Sequence, residues 1–163
     1  HDDVVAVAEI GCLIRDAVAL QPDGKILIAG INSFIQSAIL RYNSDGTPDT
    51  SFGTNGQVTT SDTHIGGTVM LQTDGKIVAT TGVGFRLSRY LSNGQLDTTF
   101  GTNGRVSSFF GGTSWANTAI KQTDGKVVIA DTVNNNLTVA RYIIEPATVY
   151  LPFIFVAASS DLE

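Results

Sequence analysis

Gln21-Pro22-Asp23-Gly24-Lys25 returns as Gln72-Thr73-Asp74-Gly75-Lys76 and again as Gln122-Thr123-Asp124-Gly125-Lys126. The three segments stand about fifty residues apart, a spacing typical of repeats that lack a core of their own and bury apolar faces against their neighbours. A second landmark travels with the first. Arg41-Tyr42, Arg89-Tyr90 and Arg141-Tyr142 each follow their Asp-Gly-Lys at a similar interval. The first two lead into Asp49-Thr50-Ser51-Phe52-Gly53-Thr54-Asn55-Gly56 and Asp97-Thr98-Thr99-Phe100-Gly101-Thr102-Asn103-Gly104. The chain is therefore one repeat domain over 1–163, with copies at about 4–56, 57–104 and 105–158.

Within a copy, short apolar and β-branched runs alternate with Gly, Asn and Asp turn signals, and no stretch keeps a helical apolar period. The runs fall at 17–21, 25–31, 34–42 and 57–60, then at 68–72, 76–81, 85–91 and 105–109, then at 118–122, 126–131 and 137–143. The Asp-Gly pairs at 23–24, 74–75 and 124–125 predict hairpin turns, where glycine supplies positive φ and Asp or Asn tolerates it. Asp45-Gly46, Asn93-Gly94, Asn55-Gly56 and Asn103-Gly104 read the same way and give four strands per copy. Four antiparallel strands at this period predict an all-β chain of about three propeller blades, with an internally duplicated sandwich as the competing arrangement.

The bulk numbers narrow the partners. A 163-residue chain with 42 % hydrophobic and 15 % charged residues is expected to fold around a real core. A net charge of −5, with ten Lys and Arg scattered over three repeats, makes no basic stripe and argues against nucleic acid. No apolar stretch approaches the roughly 20 residues of a membrane-spanning helix. Cys12, the single cysteine, permits no intrachain disulfide and offers no metal cluster, and reads as a small apolar side chain. His1 in place of an initiator methionine reads as the start of a fragment or of a processed product, and Leu162-Glu163 as a vector-derived junction.

The stretches 17–30 and 38–56 together resemble the delta-60 repeat β-propeller family, and the resemblance runs over roughly residues 14 to 142. It implies mainly bacterial proteins, exported or at the cell surface, with no catalytic assignment and no cofactor to carry over. The chain departs from the family pattern at both ends, where His1–Glu9 replaces the lead-in and 145–158 replaces the expected Asp-Gly and Phe-Gly turns. Adding strands at 4–8 and 148–157 gives about thirteen strands, whereas closed propellers have about four to eight blades. The expectation is a homodimer that forms a six-bladed ring, with the apolar tail Tyr150-Leu151-Pro152-Phe153-Ile154-Phe155-Val156 at the junction. A fragment of a longer propeller is the rival reading.

Residues present in every copy serve geometry before chemistry. Arg41, Arg89 and Arg141 are expected to pair with Asp49, Asp97 or nearby carbonyls, Phe52 and Phe100 to plug the space between blades, and Gln21, Gln72 and Gln122 to bond local backbone. Asn43, Asp45 and Asp49, with Ser92, Asn93 and Asp97 in the second copy, raise calcium as an idea, but the spacing does not match the twelve-residue helix-loop-helix pattern and no metal is expected. Non-repeated features make better sites. Trp115 and the Phe109-Phe110-Gly111-Gly112 connection could present rings to a sugar or peptide, with Arg86 or Asn134, Asn135 and Asn136 supplying hydrogen bonds, although Trp115 aligns with Ile14 and Ile65 and reads first as core. His64, beside Asp62, reads as a surface loop histidine. No catalytic residue is assigned, since the non-repeated acids Asp16, Asp131 and Glu145 show no distinguishing spacing. The leading reading is a non-catalytic binding or scaffolding module for a protein or glycan ligand. A carbohydrate-binding propeller is the alternative, and a propeller hydrolase or lyase stands third.

Overall fold

A computed structural model describes residues 12–32, 36–60, 65–81, 84–112, 118–144 and 150–156. The described residues form twelve strands and no helix: β1 (Cys12–Leu20), β2 (Ile26–Asn32), β3 (Ser37–Tyr42), β4 (Gln57–Thr60), β5 (Ile65–Leu71), β6 (Ile77–Thr81), β7 (Phe85–Tyr90), β8 (Arg105–Ser108), β9 (Thr118–Lys121), β10 (Val127–Val133), β11 (Asn136–Ile143) and β12 (Tyr150–Val156). They assemble as three four-stranded antiparallel meanders, β1-β2-β3-β4, β5-β6-β7-β8 and β9-β10-β11-β12. The strand expected at 4–8 lies outside the described residues.

The turns follow from two local devices. Gln21 N donates to Lys25 O at 2.8 Å and Gly24 N to Gln21 O at 2.9 Å, with only Gly24 at positive φ, 83°. The sequence reading let Asp share the positive φ with Gly. Instead the Asp23 carboxylate accepts the Lys25 amide at 3.2 Å and holds the loop open at three residues, and the same bond recurs at Asp74, Asp124, Asp45 and Asn93. Asn55-Gly56 and Asn103-Gly104 form the other device, a two-residue turn with both members at positive φ. Asn134-Asn135, at φ 50° and 64°, joins β10 to β11 in that same way, so these residues are first of all turn formers.

The sheets follow the grouping of the apolar runs, four to a copy in the first two, and differ only from the copy boundaries drawn at 56 and 104. β4 begins the second copy in sequence, yet it closes the first sheet by pairing Ile39 with Val58. The apolar tail, expected at a junction between subunits, pairs within its own chain. Thr138 stands opposite Val156 and Ala140 opposite Ile154, so β12 is the outer strand of the third sheet. An apolar strand beside β11 satisfies that strand's backbone groups locally, which the missing turn motif at 145–149 had hidden from sequence.

β5 packs against β1 and β2 on one side and against β9 on the other, which sets the first strands of the three sheets side by side as blades about a common axis. Between the first two blades, Leu27, Ala29, Ile39 and Phe52 meet Val69, Ile77, Ala79 and Tyr90. Between the second and third, Met70, Val78, Phe85, Leu87 and Phe100 meet Val127, Ile129, Ala140 and Tyr142. β6, in the middle blade, is buried at all five positions because a blade covers each face, whereas β10 alternates between buried and more open residues because only one face is covered. The two larger core clusters thus lie between blades, while a third, Ala38, Leu40 and Tyr42 with Ile26 and Ile28, lies on the outer face of the first blade.

Candidate functional site

Polar side chains concentrate at the joints, and the repeat dictates where. β3 places Arg41 beside the loop that carries Asp49. Arg41 Nε donates to Asp49 Oδ2 at 2.7 Å, its Nη1 to the Ser92 carbonyl of the next blade at 2.5 Å, and its Cζ lies 4.5 Å from the centre of the Phe52 ring. The second copy repeats this arrangement. Arg89 Nε meets Asp97 Oδ2 at 2.8 Å, its Nη1 reaches the Ile144 carbonyl at 3.3 Å, and its Cζ stacks 4.5 Å above Phe100. Cation–π stacking and a buried carboxylate leave each guanidinium a single productive pose, aimed at the neighbouring blade. The expected pairing of arginine with Asp49 and Asp97, and the plug role of Phe52 and Phe100, are both present.

Sequence reasoning missed two members of this assembly. Lys25 Nζ lies 2.7 Å from Asp49 Oδ2, and the Gln72 side chain, expected to bond locally, donates across the joint to Ile144 O at 3.3 Å. In every copy lysine follows Asp-Gly and glutamine stands two residues before the aspartate, which was the available signal. Further bonds cross the second joint: Ala119 N to Thr68 Oγ1 at 2.9 Å, Lys121 Nζ to Leu71 O at 2.6 Å, and Tyr142 Oη to Phe85 O at 3.1 Å.

These surroundings set the proton affinities. Hydrogen bonds from Lys25 and Ser51, helped by the Arg41 charge, hold the Asp49 carboxyl well below the usual carboxylate range. Burial works to raise Asp97, but bonds from Thr99 and the Arg89 charge outweigh it and leave that carboxyl lowered as well. Desolvation pushes Tyr142 up to about 12, against a smaller opposing bond from Ser108. Groups tuned this way are permanent ion-pair partners and a neutral phenol, and none is poised to exchange protons near neutral pH.

The loop that raised calcium is engaged otherwise. Asn43 Nδ2 donates to Thr47 Oγ1, Asp45 Oδ1 takes both the amide and the hydroxyl of Thr47, and Asp49 is held by Arg41, Lys25 and Ser51. Among the described residues no three His, Cys, Asp or Glu side chains gather as metal ligands.

Of the residues singled out for binding, Trp115 and His64 lie outside the described residues. Phe110 stands edge-on to the buried Phe85, ring centres 4.8 Å apart, and faces the third blade. Phe109 is 83 % exposed. Asn134 Nδ2 donates to Gly111 O at 3.2 Å, which brings the Asn134-Asn135 turn to the same aromatic connection across the second joint. Arg86 is not part of this group. It sits between Phe85 and Leu87 on β7, and strand alternation turns it toward the first blade. Asp131 is buried on the face of β10 turned to the second blade, accepting from Thr132 N at 2.7 Å. An open groove of about 600 Å³ runs along the outer turn of the first blade, lined by Gly53, Thr54, Asn55, Gln57, Val58 and Thr59, all uncharged.

Consecutive four-stranded blades locked by repeated joints define a β-propeller repeat module. Residues 21–52 and 72–100, one segment in each of the first two blades, match a family described as a domain of unknown function (DUF5122) beta-propeller. A crystal structure of a protein of unknown function from Bacteroides caccae is similar with a TM-score of 0.55 at 16 % identity, over 90 % of this chain and 47 % of that one. A polysaccharide lyase, the PL25 ulvan lyase bound to -[GlcA(1-4)Rha3S]-, is similar with a TM-score of 0.53 at 12 % identity, over 93 % and 41 %. The chain spans less than half the length of each of these proteins, and at such identities the likeness shows the fold alone. No curated protein matches the chain.

Proposed function

We propose that the chain is a non-catalytic binding or scaffolding module, in which the repeats supply a rigid frame and the non-repeated loops supply the contact surface. The observation that carries this reading is the engagement of the repeated charged groups. Arg41 with Asp49 and Arg89 with Asp97 are committed to joining blades, and the two carboxylates stay ionised. A general acid or base needs a proton it can exchange near the working pH. The exported or cell-surface setting implied by the resemblance goes with this reading. The test is incubation with uronate-containing and sulfated polysaccharides, followed by ultraviolet detection of unsaturated products and a reducing-end assay. Neither product is expected, and turnover that survives repurification would overturn the reading.

One observation favours a carbohydrate ligand as the second reading. Phe109 presents an almost bare ring beside the asparagine turn, a combination suited to stacking on a sugar face while amides bond its hydroxyls. The polysaccharide bound to the ulvan lyase supplies a starting ligand class. On a glycan array, binding abolished by Phe109→Ala or Trp115→Ala is expected under this reading. Absence of binding, or binding indifferent to both changes, removes it.

A further inference from the structure

The two internal joints are made by equivalent residues, and several of the same positions recur, exposed, at the two ends of the arc. Val69 and Ala119 occupy one position on the first strands of the second and third blades and are 5 % and 7 % exposed, whereas their equivalent in the first blade, Val18, is 65 % exposed. Met70, which the second blade turns to the third, is 7 % exposed, and its equivalent Ile120 in the third blade is 62 % exposed. Phe85 is fully buried, while Leu137 at the same place in the third blade is 52 % exposed. Strand pairing places Val18 and Leu20 opposite Ile28 and Ile26 on the outer face of the first blade, and Ile120 opposite Val128 on the outer face of the third. The arc therefore ends in two unlike apolar faces, and each is the complement that the other's equivalents already meet inside the chain.

The polar latch follows the same series. Arg41 donates to the carbonyl of Ser92, and Arg89 to that of Ile144, in each case the third residue beyond the next blade's arginine. Arg141, at the corresponding place in the third blade, is exposed, and the third residue beyond Arg41 is the exposed turn residue Ser44. Extended one step, the series joins Arg141 to Ser44 across the open side.

We infer that a second copy of this chain closes the ring head to tail. The outer face of the third blade around Ile120, Val128 and Leu137 seats on the outer face of the first blade around Val18, Leu20 and Ile26, and Arg141 latches the carbonyl of Ser44 in the other copy. Two such joints relate the copies by a twofold axis and give six blades, within the range of closed propellers. The solved chains that this one superposes on have room for about one more copy, since it covers 47 % and 41 % of them. Ala38, Leu40 and Tyr42, farther out on the first blade, are already buried, so the inner strands carry the contact.

Light scattering after gel filtration should give twice the 17.2 kDa chain mass, about 34 kDa, at micromolar concentration. Ile120→Asp and Leu20→Asp alter exposed side chains on the two different faces, so each variant should keep its circular dichroism while the dimer dissociation constant rises at least about a hundredfold. Mixing the two variants leaves one intact joint and should restore a one-to-one pair. A wild-type monomer at tens of micromolar would overturn the inference and leave these faces to further blades of a longer polypeptide. So would a larger assembly, a mixture that stays monomeric, or a dimer broken by only one substitution, which is the mark of a face-to-face contact. Should either aspartate variant lose its circular dichroism, Arg141→Ala decides, since it should weaken the dimer by about tenfold with the monomer's melt unchanged. No weakening there overturns the inference as well.

Discussion

Gly75 and Gly94 sit at the same place in the same kind of turn, at φ 81° and 90°, yet replacing them with alanine should have different consequences. Either substitution forces a Cβ into the left-handed region, at about 1–2 kcal/mol. At Gly75 the added carbon meets only Ser92 Cβ at 4.0 Å, an ordinary contact. At Gly94 it falls 2.6 Å from Val58 Cγ2, 3.0 Å from Phe52 Cε2 and 3.2 Å from the Gly53 amide nitrogen, all in the preceding blade. Gly53 N donates to Asn93 O at 2.9 Å, so the backbones are already tied together there and have little freedom to separate. Overpacking of this kind adds about 1–3 kcal/mol, for a total of about 2–5 kcal/mol. At about 2–4 °C per kcal/mol for a chain of this size, Gly75→Ala should lower the melting temperature by roughly 2–8 °C and Gly94→Ala by roughly 4–20 °C in a circular-dichroism melt. Val58→Ala removes the closest obstacle and should make the double variant less damaged than the sum of the singles. Equal losses at the two glycines, or additivity with Val58→Ala within about 0.5 kcal/mol, would refute the close approach of the blades.

Further outcomes follow from the joints. Phe100→Ala empties a fully buried plug and should cost about 3–5 kcal/mol by denaturant titration, whereas Phe109→Ala at an exposed ring should stay within about 0.5 kcal/mol. Arg89→Ala leaves Asp97 buried without its guanidinium and should cost about 3–5 kcal/mol, while Arg141→Ala should leave the melt of the monomer unchanged. Asp49 and Asp97 both have folded pKa values below the unfolded one, so their stabilisation is complete above about pH 4 and fades as pH falls from there toward the folded values. Stability measured from pH 7 down to pH 2 should be flat at first and then fall in the acid limb, less steeply in Asp97→Asn than in wild type. An acid limb unchanged by that substitution would contradict the pairing.

The repeat made much of this architecture readable in advance. Asp-Gly marks the turns, the recurring arginines mark the pairing with Asp49 and Asp97, and Phe-Gly marks the plug, because each must recur wherever a blade meets its successor, whereas the lysine that reaches Asp49 went unread. The third blade was harder to read. Its last strand lacks the Phe-Gly motif, and only pairing with β11 assigns 150–156 to it. Direction across a joint was also hidden, since the acceptors of Arg41 and Arg89 are main-chain carbonyls of Ser92 and Ile144, which no sequence pattern singles out. Placement on a strand decided the fate of the site candidates. Phe109 and the asparagine turn came together through a backbone carbonyl at Gly111, while a one-residue step from Phe85 turned Arg86 to the other side of the sheet.

Because the latch ends on a carbonyl oxygen, which every residue possesses, a blade places no demand on the identity of the residue it grips: serine serves in one case and isoleucine in the next. Each module brings its own connector and accepts any successor of the right backbone shape. Such a unit can be duplicated in tandem and drift in its surface loops without relearning how to assemble, even where, as around Arg141, the sequence lacks the aspartate and phenylalanine that steady Arg41 and Arg89.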